Sequence, residues 1–248
     1  MGDEAVVVSV RQPARDRAVL SAEAGSREAA EHGIERMRFA LGLDDDLRPF
    51  YQRFLWDPLI GPAIRRDPLR RVRRRPDPFE ALAWAICEQL IEFDRAAAIQ
   101  RRLIARLGRR CERTGLRDSP SAAALAGASS PALQACDLAA SRAVALVRAA
   151  REVAARGIDL RRLRAIPGIG QWTMEMLALH GLGRLDVVPA GDLGFLKLVG
   201  RLRTGNPYAR ATPEEAHEFF ERYHPWAGQA AAYLLSPHGL PRRMIAAA

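Results

Sequence analysis

Residues Ala165–Lys197, AIPGIGQWTMEMLALHGLGRLDVVPAGDLGFLK, decide how the rest of the chain is read. A Pro-Gly-Ile-Gly turn (Pro167, Gly168, Ile169, Gly170) joins a helix ending at Leu163–Ile166 to a second helix over Gln171–Leu179. The paired glycines let the backbone turn tightly and come close to a ligand. The helix behind them offers unbonded N–H groups and the positive end of its dipole to an anion, most naturally a phosphate. The alternative is a plain connection between two helices. Twenty residues after Trp172, Asp192 follows a Pro-Ala-Gly turn and precedes an apolar helix, Leu193–Val199. This carboxylate can cap the helix, stabilise positive charge in a reaction, or do both. Asp186, in the same segment, is the backup for that carboxylate and reads first as structural.

Outward from this segment, helical periodicity dominates from Asp44 onward. The clearest stretches are Asp44–Leu55, Asp77–Leu107, Ala139–Ala155, Pro213–Tyr223 and Pro225–Leu235, punctuated by Pro and Gly, with no internal repeat. The fold class expected is mainly α. Ala5–Val10 (AVVVSV) is the one convincing strand, followed by a helix over Ser26–Leu41 with Ala29, Ile34, Met37 and Ala40 on one face. An isolated strand cannot stand alone, so residues 1–43 read as the remnant of a small α/β element. Residues 44–76 with 196–248 form one helical lobe, and 77–195 a second that carries the hairpin.

The 248 residues are enough for a real core, and a formal charge of +9 favours a polyanionic partner, since neutralising phosphates releases counterions. Seven arginines crowd Arg65–Arg75 (RRDPLRRVRRR), either a phosphate-contacting loop or a solvated connector. Ser121–Ser130 is a small-residue helix and connector. Cys87, Cys111 and Cys136 lie far apart without metal-ligand spacing and read as reduced packing residues. The five histidines, His32, His180, His217, His224 and His238, form no HxxH or HExxH pattern. There is no nucleotide-binding glycine loop and no run long enough to cross a membrane, and Ala5–Val10, short and preceded by acids, is unlike a signal peptide. The expected location is cytoplasmic, at the nucleoid.

Four motifs in order resemble the helix-hairpin-helix superfamily of DNA glycosylases, and within it the alkylation-repair branch, 3-methyladenine DNA glycosylase II. They are Ala85-Ile-Cys-Glu-Gln-Leu90, Ile166-Pro-Gly-Ile-Gly170 with Trp172-Thr173, Asp186-Val-Val-Pro-Ala-Gly-Asp192, and His224-Pro-Trp226. The resemblance runs from about Asp44 to Pro237 and implies a two-lobed helical glycosylase fold with a truncated N-terminal α/β element. It implies Asp192 as the catalytic residue and Trp172, Met176 and Trp226 as the base pocket. Gln89, Leu90, Gly168, Ile169, Gly170 and Thr173 would meet double-stranded DNA holding a damaged base. It also implies a monovalent cation, sodium or potassium, on the backbone carbonyls of Arg164, Ile166 and Ile169. No cofactor is required, and a monomer is expected. The chain departs from the pattern at Glu88, where the family has glycine, at the nearby acid Glu92, and at Met176, where the family has a second pocket aromatic.

The chemistry asks for the same residues. Cutting an N-glycosidic bond inside a duplex requires the nucleotide to be extruded into a pocket, with an apolar wedge filling the gap. Leu90 is the candidate wedge; the alternative is an ordinary core leucine. Cleavage builds positive charge on the sugar, which a nearby carboxylate stabilises; Asp192 suits this. An N-alkylated purine already carries charge and leaves without a paired general acid. Trp172 and Trp226 would stack on it, each worth about 0.5–2 kcal/mol, unless they are core residues.

Two further functions share the fold: a bifunctional oxidised-base glycosylase/lyase, and a DNA-binding module without catalysis. Lyases of this fold carry a Schiff-base lysine where this chain has Trp172, and its single lysine, Lys197, lies elsewhere. The branch with an iron–sulfur cluster needs four clustered C-terminal cysteines, and no cysteine follows Cys136. The retained Asp192 speaks against the non-catalytic module.

Overall fold

The computed structural model describes residues 4–235. Pro237, His238 and the end of the lobe expected over 196–248 lie outside the described residues. The chain divides into two compact units, Met1–Pro76 with Gly183–Ala248, and Asp77–Leu182. Residues 183–195, grouped with the hairpin on sequence, cluster with the first unit.

The first unit opens with an antiparallel hairpin, β1 (Val7–Ala14) and β2 (Arg17–Glu23), pairing Val8 with Ala22 and Val10 with Leu20. Only the first of these strands is expected from sequence. The second alternates weakly, and the Arg15-Asp16 turn lacks the glycine that marks tight hairpins. α1 (Arg27–Leu41) starts at Ser26, whose hydroxyl accepts from the Ala29 N–H. It comes so near the sheet that a Cβ on Gly33 would stand 2.6 Å from Val6 Cγ1. α2 (Arg48–Phe54) and α3 (Gly61–Arg66) follow.

The second unit begins with α4 (Pro78–Glu88), started by Asp77, whose carboxylate accepts from Phe79 N–H. α5 spans Phe93–Leu107, so the single helix expected over Asp77–Leu107 is two, broken at residues 89–92. α6 (Ala122–Ala126) and α7 (Ser130–Gln134) are short; α8 (Ala140–Arg156) buries Ala143, Leu146 and Ala150. α9 (Leu160–Arg164) and α10 (Gln171–Met176) flank the Pro-Gly-Ile-Gly turn. α10 runs into a wider π turn, Leu177–Gly181, which lies close against α4. There a Cβ on Gly181 would be 3.0 Å from that of Ala81. The unit's core joins Leu82, Ile86, Ile99, Leu146, Leu163, Ile169 and Leu177.

The chain returns to the first unit for α11 (Leu193–Thr204), α12 (Pro213–Glu221) and α13 (Ala227–Leu234). Their core is aromatic: Phe50 stacks on Tyr233 at 5.9 Å, and Phe54 meets Tyr223 edge-on at 5.3 Å. The buried phenols are satisfied, Tyr233 donating to Asp67 O at 3.0 Å and Tyr223 to Asp57 Oδ1 at 3.4 Å. No helix among the described residues is long and apolar enough to cross a membrane.

Candidate DNA-repair site

The turn between α4 and α5 holds the least expected backbone in the protein. Leu90 adopts φ 56° and its side chain is fully exposed. A left-handed leucine is costly, about 1–2 kcal/mol, and it persists only where its surroundings impose it. Here two side chains do so. Arg142 of α8 donates to the carbonyls of Cys87 and Gln89 at 2.9 and 3.1 Å, tying off the end of α4. Gln89 Nε2 donates to Gly168 O at 2.8 Å and to Thr173 Oγ1 at 2.9 Å, pinning the turn to the glycine hairpin. Leu90 is therefore no core leucine.

Gln89, Gly168 and Thr173 are thus brought together. Thr173 is 1% exposed and its hydroxyl accepts from Gln89, so it positions Gln89 and does not itself face a ligand. Ile169 is 2% exposed, its side chain in the core. Gly168 needs to be glycine, with φ 91° and Ala145 Cβ 3.3 Å from where its own Cβ would be. Gly170 does not: its φ is −91°, and an added Cβ would meet nothing within 4 Å. The fold makes no demand for glycine at 170, and the surface there is open.

The cation expected at the hairpin does not fit the residues there. Arg164 is exposed, and its Nη1 donates to Ile169 O at 3.0 Å, placing a positive charge on one of the three carbonyls. Ile166 O accepts from Ile169 N–H at 3.0 Å and keeps a second lone pair, so the obstacle is the charge of Arg164.

Trp172 and Met176 sit four residues apart on one face of α10, both half-buried. The Trp172 indole N–H is buried and has no acceptor among the described residues. Glu88 is half-buried at the end of α4, and Glu92 is exposed ahead of α5.

In the other unit, Asp192 caps α11, its Oδ1 accepting from Gly194 N–H at 2.8 Å. Its own N–H donates to Pro189 O at 2.9 Å, which closes the Pro-Ala-Gly turn and aims the carboxylate. Val188 and Ala190 are buried on either side of Pro189, while Asp192 is half-buried. Its second oxygen takes no hydrogen bond among the described residues. Asp186 is occupied otherwise: Arg184 grips it at 2.7 and 2.9 Å and holds its carboxyl below the ordinary range. Trp226 leans edge-on against Phe50 and Phe54, at 6.3 and 6.4 Å, with the rest of the ring only partly covered. Next to it, Gly228 N–H donates to Leu185 O at 2.8 Å. Lys197 is exposed on α11.

Sequence reasoning missed Arg142 and the side chain of Arg164. Neither belongs to a motif, and an arginine inside an arginine-rich helix carries no local mark of its partner.

A glycine hairpin between helices, pinned to a turn that projects a bare leucine, defines a helix-hairpin-helix protein. The chain belongs to the HhH-GPD superfamily of base excision DNA repair proteins, whose model matches residues 83–225. It is 32% identical over 210 residues to the Mycobacterium tuberculosis protein described as a probable bifunctional transcriptional activator/DNA repair enzyme AlkA. That alignment covers 80% of this chain and 41% of the relative, so the chain spans about two fifths of that protein's length. A Bacillus subtilis DNA-3-methyladenine glycosylase is 26% identical over 206 residues, covering 77% of this chain and 67% of that one. Among solved structures, a 3-methyladenine DNA glycosylase from Archaeoglobus fulgidus superposes with a TM-score of 0.76 at 24% identity. The match covers 90% of this chain and 79% of that one, and shows the shared fold.

Proposed function

We propose that this protein is a monofunctional DNA glycosylase that hydrolyses the N-glycosidic bond of alkylated purines, 3-methyladenine and 7-methylguanine, extruded from double-stranded DNA. It would act as a monomer on cytoplasmic, nucleoid DNA. The observation that carries this reading is the carboxylate of Asp192, held by its own turn and by one oxygen while the other takes no hydrogen bond among the described residues. The names of the Mycobacterium and Bacillus relatives point to the same branch.

In this reading Leu90, already extended from its turn, enters the base stack and offsets the unstacking cost of a few kcal/mol. The hairpin amides, with Gly170 open to close approach, grip a backbone phosphate. Trp172, Met176 and Trp226 hold the extruded base by its positive charge and shape. Asp192 then stabilises the oxocarbenium-like sugar as the bond to the base breaks, and water completes the hydrolysis.

Single-turnover assays on methylated duplex test the assignment. Asp192→Asn should slow base release by about a hundredfold or more, with DNA affinity unchanged or higher; release near the wild-type rate would remove the assignment. With tryptophan at position 172, borohydride should trap no covalent enzyme–DNA adduct. Trapping that vanishes in Lys197→Ala would move the protein to the lyase class. Activity on 8-oxoguanine alone, with none on methylated purines, would overturn the branch.

A further inference from the structure

Arg164 lies three residues before Pro167, and its guanidinium folds over the turn to Ile169 O. Hydrogen bonding alone would not bar an ion, because a carbonyl oxygen has two lone pairs. Charge does. An ion ligated by the same oxygen would lie roughly 4 Å from the guanidinium, close enough for the two like charges to repel strongly. The guanidinium meanwhile keeps its other N–H donors, in the planar fork that suits phosphate. Beside it, Gly170 leaves the hairpin surface uncovered.

We propose that the Arg164 guanidinium takes the place of a monovalent cation at the hairpin, neutralising the Ile169 carbonyl and presenting its remaining donors to the gripped phosphate. DNA binding then requires no particular monovalent ion. This rests on the reading of the hairpin as a phosphate grip.

The test is fluorescence anisotropy with a duplex carrying a tetrahydrofuran abasic analogue, which cannot be processed. Wild type, Arg164→Ala and Gly170→Trp are compared in potassium, sodium and tetramethylammonium chloride at one ionic strength; the last ion is too large for carbonyl ligation. Wild-type Kd should agree within about twofold in all three salts, whereas Arg164→Ala should weaken by about tenfold in tetramethylammonium, equivalent to about 1.4 kcal/mol. It should recover in potassium or sodium, because the vacated carbonyls can then take an ion. A wild-type Kd that rises about tenfold when potassium is replaced by tetramethylammonium overturns the proposal, and that comparison needs no variant. Arg164→Ala that matches wild type in every salt overturns it as well. If Gly170→Trp binds as tightly as wild type, the phosphate grip itself fails and this inference falls with it. Weak binding by Gly170→Trp together with an ion-dependent wild type sinks the inference alone.

Discussion

At the scale of single residues, Leu90 sets stability against activity. Replacing it with glycine removes the left-handed strain, about 1–2 kcal/mol, and adds roughly 0.5–1 kcal/mol of unfolded-chain entropy. Leu90→Gly should therefore unfold within about 1 kcal/mol of wild type in urea. Base release should fall on the order of tenfold or more, since nothing then offsets unstacking. Loss of activity in step with loss of stability would make Leu90 a folding residue instead. The cysteines differ just as sharply. Burial pushes the Cys87 thiol up to about 12, whereas hydrogen bonds from Thr114 lower that of Cys111. Iodoacetamide at neutral pH should label Cys111 first and leave Cys87 intact in the folded protein, as mass spectrometry of the peptides would record.

Among elements, the joint between α4 and α5 depends on an arginine from a third helix. Arg142→Met leaves two carbonyls at the end of α4 without their charged donor, at a cost of about 2 kcal/mol. Hydrogen exchange should quicken over residues 88–92 before it changes in α8, and base release should fall with it. Unchanged exchange there would mean that Gln89 alone holds the turn. This joint also marks where the sequence stopped being legible. The hairpin could be read because glycine and proline announce turns by their own conformational limits, and the helix start at Asp192 because an aspartate after Pro-Ala-Gly caps. The break after Glu88 could not, since Gln89-Leu90-Ile91 continues the helical apolar pattern and contains no glycine or proline. The left-handed residue there is a leucine, held against its own preference by the Arg142 side chain, 53 positions beyond Gln89, and by Gln89 itself, whose amide reaches the Gly168 carbonyl 79 positions on. Local pattern fails where distant contacts impose strain, and such places are often functional.

For the whole molecule, the arginine-rich stretch before α4 is partly internal. Arg74 is buried, paired to Asp45 at 2.7 Å and lying over Phe39 at 5.0 Å. Arg71 donates to the Tyr51 hydroxyl at 3.2 Å, and Arg70 pairs with Asp67 at 2.9 Å. Arg74→Ala should cost about 3 kcal/mol, lowering Tm on the order of 6–12 °C. Arg65, Arg66 and Arg73 are exposed, although Arg65 also donates to Leu55 O at 2.6 Å and lies over the Trp56 ring at 4.9 Å. Replacing all three with glutamine should reduce the slope of log affinity against log salt by about 0.9 each if they neutralise phosphates; an unchanged slope makes the stretch a connector. The posture of Leu90 has a last consequence, for tempo. A wedge that had to unfold from the surface at every base pair would tie the speed of lesion search to a protein motion. Leu90 is erect before DNA arrives, so with it as the wedge each encounter tests the duplex at once. The dwell time at a site is then governed by how readily that base pair opens, and weakly stacked damaged pairs are sorted from sound ones by the DNA's own breathing.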